Sequence, residues 1–115
     1  MKSTGNAMND DNGKPRPDIV ISDHDGLTSS SNVTQQAAHI FKSLGYKVGI
    51  NNPYKGAELI RKYADPANKR YSLQIELNRA LYMHEDRFVK NESFGKVAQD
   101  LQRFTEQISL HLLQA

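Results

Sequence analysis

Apolar and polar residues alternate with two different periods along this chain, and each period predicts a type of element. The segment Asp18–Ser22 is a short β-branched run after a proline, which is typical of a buried strand. Apolar residues then recur at helical spacing behind the N-capping side chains of Ser29 to Asn32. The apolar positions of this helix are Val33, Ala37, Ile40, Phe41 and Leu44. Gly45 suits the left-handed residue that ends a helix.

Two later segments alternate with a period of two. Tyr46–Ile50 predicts a second strand, and a strand, a helix and a strand in so short a length predict a parallel βαβ unit. Tyr71–Asn78 predicts a third strand, with apolar and polar side chains on opposite faces. The apolar side chains are Tyr71, Leu73, Ile75 and Leu77, and the polar ones are Ser72, Gln74, Glu76 and Asn78.

Helical spacing returns twice more. A short helix is predicted over about Ala57–Tyr63, and Ser93 is positioned to cap a long C-terminal helix. The apolar stripe of that helix is Phe94, Val97, Leu101, Phe104, Ile108 and Leu112. The chain is therefore predicted to be α/β, with three strands, two long helices and one short helix. Residues 1–17 are polar and turn-forming, which predicts a flexible lead-in or loop before a folded part at 18–115.

Three strands form a narrow sheet for two amphipathic helices. We therefore expect the chain to belong to a larger domain or to self-associate through an exposed sheet edge, because an unpaired strand presents free backbone groups.

Composition excludes several classes of protein. The 115 residues fit one domain and contain no cysteine, which excludes disulfides, a thiolate nucleophile and cysteine-ligated metals. No apolar run approaches the roughly 18 residues that a membrane span needs, and no secretory leader is evident, so we expect a cytoplasmic protein with no membrane partner. The net charge is +2, with 15 basic and 13 acidic residues interspersed, so no nucleic-acid partner is expected.

The polar face of the third predicted strand is the main candidate for chemistry. Gln74, Glu76 and Asn78 share that face, and Arg79 follows it. One interpretation is the wet face of an antiparallel strand. The other is a ligand site at the end of a core strand, where Glu76 is a general base and Arg79 clamps a carboxylate.

A second candidate is the run Asp23, His24 and Asp25 after the first strand. Only the two aspartates readily share a face, so a turn whose carboxylates accept backbone hydrogen bonds competes with a metal site. The other histidines lack a zinc-site spacing, and the sequence contains no glycine-rich phosphate loop or nucleophile elbow. From the residues alone, a small-molecule α/β site is indicated, but no reaction.

Five blocks of sequence carry a resemblance. They are Arg16–Val20, Asp25–Gly26, Leu44–Val48, Asn52–Gly56 and Tyr71–Met83. In this order they resemble the N-formylglutamate amidohydrolase (deformylase) family, from about Arg16 to the C-terminus. The resemblance implies a zinc-exopeptidase-like (phosphorylase/hydrolase-like) sheet and a hydrolase of bacterial histidine breakdown. Such enzymes convert N-formyl-L-glutamate and water to formate and L-glutamate.

The same resemblance implies roles for individual residues. Zinc would polarise the formyl carbonyl, and Glu76 matches the carboxylate that accepts a proton from water. Arg79 is the candidate for binding the substrate carboxylate. The remaining candidates for the pocket wall are Asn52, Tyr54, Lys55, Asn78 and Tyr82.

The chain also departs from the family pattern. The family's His-Ser-Gly-type and Asp-x-His-Ser-Met motifs are absent from this sequence, and Met1 aligns with the Met that ends the second motif. By the resemblance, those two motifs supply the zinc ligands. We therefore expect the C-terminal portion of the family's domain, with no zinc ligand of its own and no activity alone. The alternatives are a small-carboxylate-binding module and an interaction module without catalysis.

Overall fold

The structure, a computed structural model, describes residues 1–5 and 13–114 and has a mixed α/β architecture. The elements are β1 (Ile19–Ser22), α1 (Ser31–Ser43), β2 (Val48–Ile50), α2 (Glu58–Tyr63), β3 (Gln74–Leu77), β4 (Met83–His84), β5 (Val89–Lys90) and α3 (Phe94–Leu113). Short 3₁₀ turns lie at Pro66–Asn68 and Arg79–Leu81. The predicted α/β class, three sheet strands and three helices are confirmed. The small hairpin of β4 and β5 was not predicted.

The three longer strands form one sheet in the order β2-β1-β3. Strand β1 pairs with β2 in parallel, which confirms the predicted βαβ unit, and Ile19 lies opposite Val48. Strand β3 is antiparallel to β1, with Ile19 opposite Leu77. It is also shorter than the predicted Tyr71–Asn78, because Ser72 already pairs with the loop residue Thr28 instead of with a strand (N to O, 2.9 Å).

One face of this sheet and the two long helices enclose the core. Ile19 and Ile21 point into it from β1, and the rings of Phe41 and Phe104 stack with centroids 4.2 Å apart. The predicted apolar face of β3 is confirmed, since Leu73, Ile75 and Leu77 pack against this core. None of the helices among residues 1–5 and 13–114 is long and apolar enough to cross a membrane.

Local signals explain where the helices begin and end. The Ser30 hydroxyl accepts a hydrogen bond from the Val33 amide and caps α1, as predicted. Gly45 follows α1 with φ of +97°, in the left-handed region. Ser93 is the N-cap of α3, but the prediction that its side chain caps the helix is wrong. Instead, its own amide donates to Asn91 Oδ1 at 2.9 Å.

The described ends of the lead-in contact the rest of the fold. Thr4 and Pro15 form a bridge, and the Arg16 amide donates to the Ser3 carbonyl at 2.8 Å. Met1 lies against the end of β3, where its ammonium donates to the Leu77 carbonyl at 2.7 Å. Residues 6–12 of the predicted flexible lead-in lie outside the described residues.

Gly56 precedes α2 at a position that a side chain would strain. Its φ is +110°, and an added Cβ would lie 2.2 Å from Ile60 Cδ1. We expect Gly56→Ala to lower the free energy of unfolding by about 1–3 kcal/mol, measured by urea denaturation. Gly95→Ala is the control, because nothing lies within 4 Å of a Cβ there and its φ is not positive. Equal stability of the two variants would contradict the strain argument.

Candidate functional site

Because β3 is antiparallel to β1, the predicted site residues are divided between the two edges of the sheet at which strands begin and end. The carboxyl ends of β1 and β2 lie at one edge, together with the amino end of β3. Asn52, Tyr54 and Lys55 follow β2 at that edge. Arg79 and Tyr82 follow β3 and therefore lie at the opposite edge. Glu76 lies between the two edges, on β3 itself and opposite Val20 of β1.

At the first edge, Asp23 organises a buried turn. Its side chain, within a residue that is 4% exposed, accepts hydrogen bonds from Gly26 N (2.8 Å), Asn51 Nδ2 (2.7 Å) and Thr34 Oγ1 (2.8 Å). Burial alone would raise the pKa of Asp23, but these hydrogen bonds hold it below its ordinary value. The predicted alternative to a metal site, a turn with aspartate-to-amide hydrogen bonds, is what the structure shows.

Three residues at this edge, His24, Asp25 and Asn51, have backbones in the left-handed region, with φ of 54–55°. The Asn52–Pro53 peptide is cis. The Nδ1 atom of His24 is buried without a hydrogen-bond partner. Asp25 points outward instead and pairs with Lys55 at 3.0 Å, with both side chains more than half exposed.

We expect Asp23→Asn to be less stable than the wild type at pH 7 by about 1–3 kcal/mol, because three donors lose their carboxylate. Since the pKa is lower in the folded state, Asp23 stabilises the fold above its unfolded pKa of about 3.9. That contribution disappears as the pH falls through the lower folded pKa, so the variant should show a shallower loss of stability in acid.

Urea denaturation between pH 7 and pH 2 measures both effects. Asp25→Asn is the matched control, because it removes an exposed carboxylate from the same turn. An acid dependence of Asp23→Asn as steep as that of the wild type would contradict the assignment.

The loop after β2 contains the candidates Tyr54 and Asn52, which differ in their exposure to solvent. The Tyr54 carbonyl accepts a hydrogen bond from Ser22 Oγ at 2.8 Å, while its ring lies against the Arg16 guanidinium, 5.0 Å from the ring centroid. Asn52 is exposed. The loop therefore covers the sheet face opposite the core, and the side chain of Tyr54 reaches from the first edge toward Arg16.

Glu76 is half-buried and lines a cavity of about 400 Å³. Its carboxylate accepts a hydrogen bond from Gln74 Nε2, and Gln74 Oε1 in turn accepts from the Ala57 amide at 3.0 Å. The rest of the cavity lining is largely apolar. The other lining residues are Met1, Leu77, Tyr82, Phe94, Val97, Ala98 and Leu101.

The remaining candidates lie where β3 ends. The Asn78 side chain is buried and donates to the Arg16 and Pro17 carbonyls while accepting from the Ala80 amide at 3.0 Å. These backbone partners tie the turn to the lead-in. The ring of Tyr82 packs edge-on against Phe94 with centroids 6.1 Å apart, and both rings line the cavity.

The N-terminus completes this end of the site. The Met1 ammonium donates to the Leu77 carbonyl, and the Arg79 amide donates to the Met1 carbonyl at 2.8 Å. Burial and the positive charges of Arg79 and Arg16 lower the pKa of the Met1 amine, while Glu76 opposes them. Met1 therefore lies beside Arg79 at this end of β3.

Sequence reasoning did not identify Met1 or Arg16 as part of this site. Arg16 begins the first block of the family resemblance, and that position is the signal from which it could have been found. No comparable signal marks Met1, because its position depends on contacts with β3.

The described residues do not fit a zinc centre. Among residues 1–5 and 13–114, no three His, Cys, Asp or Glu side chains come close enough to hold a metal ion. This part of the chain provides a carboxylate, a guanidinium and a cavity. It can accept a proton and bind an anion, but it lacks the donor set that zinc prefers.

Comparisons with known proteins agree on one family. The N-formylglutamate amidohydrolase family model matches residues 1–83. The N-formylglutamate deformylase of Pseudomonas putida is 34% identical over 74 residues, which cover 64% of this chain and 26% of that protein. The crystal structure of an N-formylglutamate amidohydrolase from Ralstonia eutropha superposes with a TM-score of 0.82 at 36% identity, covering 89% of this chain and 36% of that one.

This chain therefore spans between a quarter and roughly a third of the length of these relatives. The family match nevertheless extends over well over half of its own residues, including Glu76, Arg79 and Tyr82. The chain belongs to the N-formylglutamate amidohydrolase family.

Proposed function

We propose that this chain is the C-terminal, base-bearing part of a zinc-dependent N-formylglutamate deformylase and does not hydrolyse the substrate on its own. The observation that carries the proposal is the cavity whose lining includes Glu76, Tyr82 and Met1. Relatives named as deformylases and amidohydrolases of N-formylglutamate support the choice of reaction.

The chemistry assigned to Glu76 follows from its surroundings. A half-buried carboxylate beside an apolar wall can accept a proton from a water molecule that attacks the formyl carbon. The C–N bond then breaks, the proton passes to the leaving amine, and formate and L-glutamate are released. The hydrogen bond that Gln74 Nε2 donates restrains the orientation of this carboxylate.

Arg79 is proposed to bind a carboxylate of the substrate. It lies in the 3₁₀ turn directly after β3, and its charge contributes to the positive potential around Met1. A guanidinium binds a carboxylate through two parallel hydrogen bonds. Lys55 is a weaker candidate for the same anion, because it lies at the opposite sheet edge and pairs with Asp25.

Zinc is proposed as the cofactor of the complete enzyme, as the family resemblance implies. Since the described residues do not supply its ligands, we assign no step of this chain to the metal. The ligands would come from the portion of the domain that the longer relatives contain and this chain does not match.

Formate release from N-formyl-L-glutamate tests the proposal. The purified 115-residue chain, with and without added zinc, is expected to release no formate above background. The same chain, co-produced with the portion of the Ralstonia eutropha protein outside the matched region, is expected to release formate. Zinc-dependent formate release by the chain alone would overturn the proposal, as would an inactive but stably assembled mixture.

A second function, binding of a small carboxylate without catalysis, is favoured by the positive groups near Met1, namely Arg79 and Arg16. Calorimetric titration of the chain alone with glutamate and with N-formylglutamate measures it. If this function holds, Arg79→Met should weaken binding at least about tenfold, since a charge-assisted pair is lost. Arg103→Met, on the exposed part of α3, is the control. If neither glutamate nor N-formylglutamate gives a heat of binding, this function is excluded.

A further inference from the structure

Gln74 joins Glu76 to the loop that precedes α2. Both side chains lie on the face of β3 opposite Ile75 and Leu77, which pack against the core. Gln74 Nε2 donates to Glu76 Oε1, and Gln74 Oε1 accepts from the Ala57 amide at 3.0 Å. One amide side chain therefore bridges the carboxylate proposed as the general base and a backbone group 17 residues before Gln74 in the chain.

The Ala57 amide determines which end of the Gln74 side chain faces Glu76. A backbone N–H is only a donor, so it pairs with the side-chain oxygen of Gln74 and not with the NH₂ group. The NH₂ group then faces the carboxylate, which is an acceptor. The reverse orientation would place two acceptors together at Glu76 and two donors together at Ala57. Each hydrogen bond of the bridge therefore supports the other.

The loop that presents this amide is held against the sheet at two further points. Ser22 Oγ donates to the Tyr54 carbonyl at 2.8 Å, and the His24 amide donates to the Lys55 carbonyl at 2.7 Å. Ser22 is the residue of β1 that lies opposite Gln74, so these contacts are made beside the bridge. The backbone of the loop is therefore fixed where it meets the Gln74 side chain.

We propose that Gln74 is a positioning residue for the general base, and that the Ala57 amide sets its orientation. The bridge holds one carboxylate oxygen, Oε1 of Glu76, and assigns proton acceptance from water to the other, Oε2. A base must lie within hydrogen-bond reach of the proton that it takes, and a displacement of about 1 Å can cost about 10²-fold in rate. The inference rests on the proposed function for the role of Glu76, whereas the bridge itself rests on its two hydrogen bonds.

Formate release by the assembly of this chain with the unmatched portion of the Ralstonia eutropha protein tests the positioning role. Gln74→Met keeps the length of the side chain but removes both hydrogen bonds. It should lower kcat by about 10–10²-fold with little change in KM. Gln35→Met, at an exposed position of α1 outside the cavity lining, is the matched control and should leave kcat unchanged. Wild-type kcat in a Gln74→Met assembly would overturn the proposal.

Ala57→Pro removes the donor at the far end of the bridge. Ala57 is exposed and has a φ of −90°, close to the value that proline requires, so the fold should accept the change. We expect kcat to fall by about 2–10-fold, as for the loss of one neutral hydrogen bond. Glu58→Pro is the control, because proline suits the first position of a helix and the bond to Gln74 comes from Ala57.

The double variant separates positioning from a general loss of stability. Once Gln74→Met has removed the bridge, Ala57→Pro should lower kcat no further, because the amide then has no connection to Glu76. Losses that multiply in the double variant would contradict the bridge.

Amide hydrogen exchange in the 115-residue chain alone tests the bridge without any activity. The Ala57 amide should exchange about 2–10-fold faster in Gln74→Met than in the wild type, because its acceptor is lost. The His24 amide, which donates to Lys55, should change little. Circular dichroism checks that the variant is folded. Unaltered exchange at Ala57 in a folded Gln74→Met chain would overturn the bridge.

The outcomes separate this inference from the proposed function. A wild-type assembly that releases no formate would refute the deformylase proposal and with it the positioning role, while faster exchange at Ala57 would still support the bridge. Formate release that Gln74→Met leaves unchanged would refute the positioning role alone.

Discussion

Glu76→Gln is expected to lower formate release by the assembled enzyme by about 10²–10⁴-fold, the range found when a general base is removed. Glutamine keeps the size of the side chain and can still accept a hydrogen bond from Gln74, but it cannot take a proton from water at neutral pH. The change should therefore fall mainly on kcat, with a smaller effect on KM.

The assay compares steady-state formate release by assemblies that contain wild-type or variant chain. Glu106→Gln is the matched control, because that residue is exposed on α3 and is not one of the residues that line the cavity. It should leave the rate unchanged. A Glu76→Gln assembly with near wild-type kcat would refute the role of general base, even if the complex forms normally.

Phe41→Ala is expected to lower the free energy of unfolding by about 3–5 kcal/mol, the cost of truncating a buried phenylalanine. Phe41 is fully buried at 0% exposure and stacks on Phe104. Its ring is also nearly perpendicular to the Tyr46 ring, with the two ring centroids 6.2 Å apart. It thus joins α1, α3 and the segment before β2. A loss of this size is a large fraction of the 5–15 kcal/mol typical of a domain.

Urea denaturation at pH 7 measures this loss. Phe88→Ala makes the same chemical change at a side chain that is 76% exposed, so it should alter the free energy of unfolding by less than about 0.5 kcal/mol. If both variants unfold at the same urea concentration, the stacked pair of Phe41 and Phe104 does not stabilise the core as its burial indicates.

Local sequence patterns were sufficient for much of the fold. The helical spacing from Val33 to Leu44 and the β-branched run Asp18–Ser22 each depend on side chains close together in the chain, so their elements were predicted correctly. The apolar positions of β3 were also predicted, because alternation with a period of two indicates which side chains face the core. The hairpin of β4 and β5 escaped prediction, since two-residue strands contain too few residues to show a period.

The candidate site was only partly predictable for a related reason. The family-matching blocks marked Glu76, Arg79 and Tyr82, and the structure places Glu76 and Tyr82 at one cavity. Sequence reasoning also grouped Lys55 with Arg79, but strand direction is not encoded in the alternation of a strand. Because β3 runs antiparallel to β1, these two cations lie at opposite edges of the sheet.

For this protein, the printed residues were enough to indicate which segments form helices and strands, which side chains face the core and which family the motifs belong to. These properties depend on local periodicity and on residue identity. The folded structure was needed to establish the order and direction of the strands, the buried hydrogen bonds of Asp23, and the position of Met1 beside Glu76 and Arg79. Those features arise from contacts between residues far apart in the chain, and no local pattern records such contacts.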